Sequence, residues 1–409
     1  MLLAFTMRVN MSMAIVDMTD ERKDKYFDWS HSIQSVILSS FFWGYVMLQI
    51  PAGELARRFG GKSLILISIG VNSLGLTQAF IYPSMHHLVS QWIPLQEKGL
   101  LTTIIYAGEN RFTFLRRHLF STLVSFSSGQ LGIALQMLLS GFLATAWGWE
   151  AIFYTNGTLG VIWSVAYLIL GSDSPETSKL ISAEEVQYIQ TSLGRIGEQK
   201  IMTSLPFWAV IVAHCGQNWG FFTLMTEMPT YMSKVLNVDL KSNGMLSSLP
   251  YLSMYILSFP MGAMTDIIIR KSWLSVTNTR KLFNTIGLWG PAIALIGLSY
   301  SPAGNMAFAV GMLTISVGIN AGQYLGYMLV HIDLAPNFSA SLMGITNFLA
   351  NIISIIAPLT EPAEWRKVFF VASGVYFFTN LFFVLFCTSE RQPNENRYEV
   401  RTIGCQKIA

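Results

Sequence analysis

Long runs of apolar residues, separated by short polar or basic stretches, follow one another along most of the chain. They lie near Leu2–Met18, Ile33–Ile50, Ser63–Tyr82, Leu119–Ala146, Ala151–Gly171, Ser204–Leu224, Met245–Thr265, Leu282–Tyr300, Met306–Val330, Leu342–Thr360 and Val368–Cys387. Each is close to the length, about 20 residues, at which a helix crosses the hydrocarbon core of a bilayer. The pattern predicts an all-α integral membrane protein with about eleven spans. The longest polar stretch, Ser172–Thr203, contains SPET and an acidic amphipathic piece, Ser182–Leu193. It separates five apolar runs from six and reads as the linker between two halves.

A phrase recurs about half a chain apart. Ile50–Lys62 reads IPAGELARRFGGK and Phe259–Lys271 reads FPMGAMTDIIIRK. Each follows a Ser-Ser pair and a helix-length apolar run, ends that run on Pro-x-Gly, carries a charge four residues past the Gly (Arg57, Asp266), and closes on basic residues. An apolar span, a tight turn and a basic loop in two corresponding places is how repeat-built membrane transporters look in sequence. The domains expected are an N-terminal bundle over 1–171, a linker over 172–203, a C-terminal six-helix bundle over 204–388 and a tail over 389–409.

Composition sharpens this reading. The chain is 52% hydrophobic and 12% charged, with a mean hydropathy of +0.45, where soluble domains run near 25% charged. The formal net charge of +3 reflects loop residues rather than a nucleic-acid surface, and no nucleic-acid partner is expected. Basic residues concentrate after the second run (Arg57, Arg58, Lys62), in the linker (Lys179, Arg195, Lys200), after Met264 (Arg270, Lys271, Arg280, Lys281) and in the tail (Arg391, Arg397, Arg401, Lys407). Positive loops stay in the cytoplasm, so both chain ends are expected there. Three cysteines, Cys215, Cys387 and Cys405, give neither a disulfide framework nor metal-ligand spacing. The first run carries Arg8 in its middle and lacks a basic leader, so it reads as a first span rather than a cleaved signal.

One region breaks the scheme. Arg57–Lys62 and the cluster Lys98, Arg111, Arg116 and Arg117 both favour the cytoplasm, yet Ser63–Gln96 between them is short of two full spans. It is either one crossing with a stranded basic cluster or a short re-entrant pair.

The wording of the chain resembles the major facilitator superfamily, specifically its anion branch of sodium-phosphate cotransporters, sialin and vesicular glutamate transporters. The phrases that carry the resemblance are MRVNMSMAIVDM (Met7–Met18), YFDWS (Tyr26–Ser30), SSFFWGYVMLQIPAG (Ser39–Gly53) and RRFGGK (Arg57–Lys62). They continue with FIYPSMHHL (Phe80–Leu88), SDSPETSK (Ser172–Lys179), HCGQNWGF (His214–Phe221), RKLFN (Arg280–Asn284), HIDLAPNF (His331–Phe338) and LMGITN (Leu342–Asn347). The wording is closest to inorganic phosphate cotransporters. The resemblance implies the major facilitator fold of two pseudo-symmetric helical bundles, twelve spans in the family, and alternating-access transport of a small anion. Against that family the third and fourth spans look fused, and Glu109–Ser128 separates YAG from GQLG, which normally adjoin. The loop between the last two spans is cut to EPAEWRK. A retained short intron and a skipped exon account for the first two departures; the alternative is genuine divergence with an added amphipathic helix.

The resemblance also assigns residues. Arg8 of RxNxS would face the central cavity and meet the anion. A guanidinium suits that task because its planar fork grips phosphate or carboxylate in two places. The competing reading is an arginine snorkelling to the membrane edge. The family's titratable second-span histidine is Leu38 here, its fourth-span glutamate Gln78, and its seventh-span arginine Gln217. These losses argue against proton coupling and leave sodium-coupled or facilitated transport, with Na⁺ as the candidate coupling ion and no cofactor. Further candidate substrate contacts are Gln217, beside His214 and Asn218, then Asn320, Gln323 and Tyr324 at i, i+3, i+4, and Asn347 with Asn351. Helix–helix hydrogen bonding is the equal alternative for each set.

Gly53 and Gly262 would let neighbouring helices approach. Arg57, Arg58, Asp266 and Arg270 would latch the cytoplasmic face, with Asp333 of HIDLAP as a gating acid, although simple positive-inside anchoring explains the cations as well. An enzyme reading finds no metal set, no nucleophile elbow and no phosphate-gripping glycine loop; GTLG (Gly157–Gly160) lies inside a span. The expectation is a monomeric, multi-pass plasma-membrane carrier of inorganic phosphate. Organic-anion transport and a transport-deficient splice form are the alternatives.

Overall fold

The computed structural model describes residues 2–20, 26–59, 61–72, 84, 129–170, 204–301, 305–334, 339–356 and 365–389. The fused span beyond Asn72, the insertion Glu109–Ser128, the linker 172–203, the EPAEWRK loop before Trp365 and the tail from 390 lie outside the described residues, as do His86, His87 and Gln78. Within them every regular element is helical. The helices are α1 (Leu2–Met18), α2 (His31–Phe59), α3 (Gly61–Asn72), α4 (Gly129–Trp147), α5 (Glu150–Leu170), α6 (Leu205–Lys234), α7 (Leu240–Arg270) and α8 (Val276–Ser299). Next come α9 (Met306–Ile319), a 3₁₀ turn (Asn320–Tyr324), α10 (Tyr327–Leu334), α11 (Ser339–Ile356) and α12 (Trp365–Phe386). Six stretches among the described residues are long and apolar enough to cross a membrane: α4, α5, α7, α8, Met306–Leu334 and α12.

The apolar runs became these helices with four differences. The repeated Pro-x-Gly does not end a span. Pro51 lies inside α2, and Pro250 and Pro260 lie inside α7. Proline removes one backbone donor, but a helix with neighbours on its sides tolerates that loss and continues. Gly53, Arg57 and Arg58 are therefore helical, and the second repeat turns only at Lys271–Ser275. Arg270 closes α7, where a cation faces the negative end of the helix dipole. Arg280, expected in that loop, is buried in α8, which begins at Val276 because Ser275 caps it by accepting from the Asn278 amide at 3.2 Å. The run that starts at Ser204 extends ten residues beyond Leu224 to Lys234, with Pro229 inside. The run from Met306 breaks into α9, the 3₁₀ turn and α10.

The helices form two groups that meet along matched pairs. In the first, α1 packs on α4 and α5, and α3 on α5; in the second, α6 packs on α11 and α12, and α8 on α9 and α12. Across the middle α4 lies on α7, α2 on α11, and α1 on α6. The α4–α7 seam is close because glycines face each other: a Cβ on Gly244 would stand 2.6 Å from the Met137 carbonyl and 3.0 Å from the Gly141 Cα. A turn of the chain caps α7 at the same end, where Asp239 accepts from the Ser242 amide at 3.0 Å; the Ser242 hydroxyl and then this amide hold its carboxyl below the ordinary range.

Candidate functional site

Arg8 stands in the middle of α1, 9% exposed. Its guanidinium is turned into the protein, with Cζ 4.6 Å from the ring centre of Phe222 on α6 and 5.7 Å from that of Phe5. It thus sits between the two halves, over an aromatic face that attracts a cation. Phe5 ties this spot to α4: a Cβ on Gly129 would stand 2.6 Å from its ring. The next residue, Gln130, hydrogen-bonds through its amide nitrogen to the hydroxyl of Tyr324 in the 3₁₀ turn. Arg8, Phe5, Gln130, Phe222 and Tyr324 therefore link α1, α4, α6 and the 3₁₀ turn at the meeting of the halves.

Next to this layer lies a polar core confined to the second half. Gln217 donates to Asn320 Oδ1 at 2.6 Å, and Asn320 returns a bond to Gln217 Oε1 at 2.8 Å. The same Asn320 nitrogen donates to the Gly287 carbonyl at 2.7 Å. Gly287 and Gly322 permit this proximity, since a Cβ on Gly287 would stand 2.4 Å from the Gln323 amide nitrogen. The 3₁₀ geometry follows from the contact: the turn tightens where α8 backbone presses against it. Gln323 is buried, its Oε1 lacking a hydrogen bond among the described residues. The i, i+3, i+4 face read for Asn320, Gln323 and Tyr324 assumes an α-helix, and the tightening alters it. Asn320 turns to α6 and Tyr324 to α4.

His214 and Gln217, one turn apart on α6, diverge. Nδ1 of His214 lies 3.1 Å from Thr346 Oγ1 on α11, and Nε2 of His331 on α10 lies 2.8 Å from the same oxygen. Nδ1 of His331 lies 3.2 Å from the Met328 carbonyl, which can only accept. The Thr346 hydroxyl lies within hydrogen-bond distance of both imidazoles and also donates to the Met343 carbonyl at 3.3 Å. Asn347 and Asn351 pair within α11, with Asn351 Nδ2 2.8 Å from Asn347 Oδ1 and 2.6 Å from the Asn347 carbonyl.

Toward the end of the second half, Arg280 Nε donates to Asp333 Oδ2 at 2.8 Å, tying α8 to α10. Its Nη1 also reaches the Leu325 carbonyl at 3.4 Å. Asp266 is half-buried in α7 and Gly262 is buried there.

Several of these groups carry no sign of their role in the sequence. Gln130, Thr346 and His331 gain their meaning from partners far along the chain. Arg280 reads as a loop residue because it follows a basic cluster. Glu227 lies three residues past the point where hydropathy ends its run at Leu224; an acid inside LMTEMPTYM is the available signal.

The comparisons agree with this architecture. A sequence model of the Major Facilitator Superfamily matches residues 1–358. A protein named "Putative inorganic phosphate cotransporter" from Drosophila ananassae is 36% identical, covering 97% of this chain and 92% of its own. Sialin from Homo sapiens is 32% identical over 95% of this chain and 87% of its own. Vesicular glutamate transporter 2 from Bos taurus is 28% identical over 96% and 72%. In three dimensions, the proton:xylose symporter XylE matches with a TM-score of 0.63 over 95% of each chain, at 13% identity, which shows a shared fold. A transporter fold, two helical groups meeting around Arg8, and relatives aligned nearly end to end place this chain in the Major Facilitator Superfamily, in the branch of the inorganic phosphate cotransporters, sialin and the vesicular glutamate transporters.

Proposed function

We propose that the chain carries small anions across a membrane, inorganic phosphate first and organic carboxylates second, by alternating access of two halves joined through residues 172–203. The observation that carries this reading is Arg8, a buried guanidinium at the meeting of the halves. An anion leaving water for a low-dielectric cavity needs a fixed positive partner. Arg8 supplies the charge, a planar donor fork and, with Phe5 and Phe222, an apolar surround that strengthens the attraction. The inward-turned head favours a substrate role over snorkelling. Gln217 and Asn320 spend their amides on each other and serve as second-line contacts; Gln323, Tyr324 and Asn347 complete the set. The Arg280–Asp333 pair, with Arg57, Arg58, Asp266 and Arg270, forms the latch on the side where both chain ends lie, the cytoplasm of a plasma-membrane carrier coupled to sodium.

Radiolabelled phosphate uptake tests this. Arg8→Lys keeps the charge without the fork and should weaken uptake. Arg8→Ala should lower it by about tenfold or more, the worth of a charge-assisted contact, while surface expression persists. Replacing sodium with choline reads the coupling ion. Undiminished uptake by Arg8→Ala would overturn the assignment.

A transport-deficient form is the second reading, and one observation favours it. The alignment with the Drosophila ananassae relative runs over 465 positions, more than the 409 residues of this chain, so the relative carries stretches absent here. Uptake by a chain with Glu109–Ser128 removed and the missing span restored, compared with the chain as it stands, separates the two.

A further inference from the structure

Glu227 is a carboxylate buried in α6 at 5% exposure, and neither of its oxygens has a hydrogen-bond partner among the described residues. It lines a small cleft with Thr223, Tyr231, Leu313, Trp365 and Phe369. Thr223, Glu227 and Tyr231 stand at i−4, i and i+4, so three oxygen-bearing side chains share one face of the helix. The Thr223 hydroxyl donates backwards to the Trp219 carbonyl at 2.6 Å. The opposite wall is aromatic and dry: Tyr231 lies 5.1 Å from Trp365 and 5.6 Å from Phe369, ring centre to ring centre.

Among the described residues no basic side chain is ion-paired with this carboxylate. Lys234, the cation that acts on it, is two turns along the same helix. On α12, Arg366 lies over Tyr300 at 4.6 Å and Phe370 at 5.8 Å, with Lys367 beside it; on α7, Lys241 lies over Phe142 at 5.0 Å. Arg8 of α1 lies over Phe222; on α10 His331 meets Thr346 and Asp333 meets Arg280, and neither α9 nor α11 brings a charged residue.

A buried carboxylate in an apolar wall, sharing its helix face with Thr223 and Tyr231 and ion-paired with no cation among the described residues, needs one of its own. We propose that Glu227 is the seat of a small monovalent inorganic cation, sodium or a proton, bound and released as the anion is carried. This rests on the transport reading but assigns a site outside the Arg8 layer, in the second half alone. A proton would reside on one Glu227 oxygen; sodium would take the carboxylate and the Thr223 hydroxyl as hard ligands.

The test reads binding without requiring transport. The purified full chain is unfolded thermally in sodium against choline at fixed pH, then across pH 5–8 in choline, for wild type, Glu227→Gln and Thr223→Val. Stabilisation of the wild type by sodium, absent in Glu227→Gln and reduced in Thr223→Val, identifies sodium. Stabilisation of the wild type as pH falls, flattened in Glu227→Gln and kept in Thr223→Val, identifies the proton. A Glu227→Gln protein that answers sodium and pH as the wild type does, or a wild type that answers neither, overturns the proposal. If Glu227→Gln does not fold, Glu227→Asp takes its place, with a weakened response expected and an unchanged one fatal. Absence of anion uptake would sink the transport reading while leaving this result standing.

Discussion

At the scale of single residues, buried charge governs the consequences of change. Arg280 and Asp333 are 4% and 10% exposed at their side chains, so the ion pair between them is largely shielded from water. Removing one partner of such a pair strands the other and costs about 3–5 kcal/mol, whereas replacing both with apolar residues of similar size is often neutral. Arg280→Met should therefore lower thermal stability in detergent sharply, and Arg280→Met with Asp333→Leu should recover most of the loss. A double variant as unstable as the single one would show that the pair contributes something packing cannot replace. The Gln217–Asn320 amides follow the same logic with neutral groups, and the Gly287 carbonyl makes their geometry tighter still.

Between elements, the approach of α4 and α7 depends on an absence of side chain. Gly141 and Gly244 bring two backbones together at a seam between the halves, and a Cβ at Gly244 has the Met137 carbonyl in its way. Gly244→Ala should cost about 1–3 kcal/mol through overpacking and should depress transport. Gly311 gives the control, since a Cβ there meets nothing within 4 Å; Gly311→Ala should be neutral or slightly stabilising, because alanine is the better helix former. Melting curves of the two variants side by side measure the difference, and equal curves would mean that the seam yields without cost. The Pro-containing helices belong to this scale too. Pro229 lies inside α6, and Asn243 of α7 donates to its carbonyl at 2.8 Å, a bond that ties the two helices at that point.

For the whole molecule, the two groups of helices and the basic loops predict a topology. A cysteine placed at Ser182 should react with membrane-permeant reagents only, since residues 172–203 are assigned to the cytoplasm; labelling from outside the cell would reverse the orientation of every span. Among the described residues, where the long apolar helices lie was legible from the chain alone, though not where each one ends. Hydropathy over about 20 residues is a property of composition, and lipid demands that each run satisfy its own backbone as a helix. The half-chain repeat and the family wording were legible for the same reason, being contained in local stretches. The continuation of the helix past each Pro-x-Gly was not, because a lone proline signals a turn in an isolated segment and only neighbouring helices make continuation cheap. The site was legible in its residue types and not in its pairings. Arg8 announced itself as a charge inside a span. That Gln217 meets Asn320, Gln130 meets Tyr324 and His214 shares Thr346 with His331 depends on residues 103, 194 and 132 positions apart in the first pair, the second pair and the His214–Thr346 contact. Helical spacing tells which side chains share a face, but not which face of which other helix they will meet. That choice is made by the packing of whole helices, and only the tertiary structure contains it.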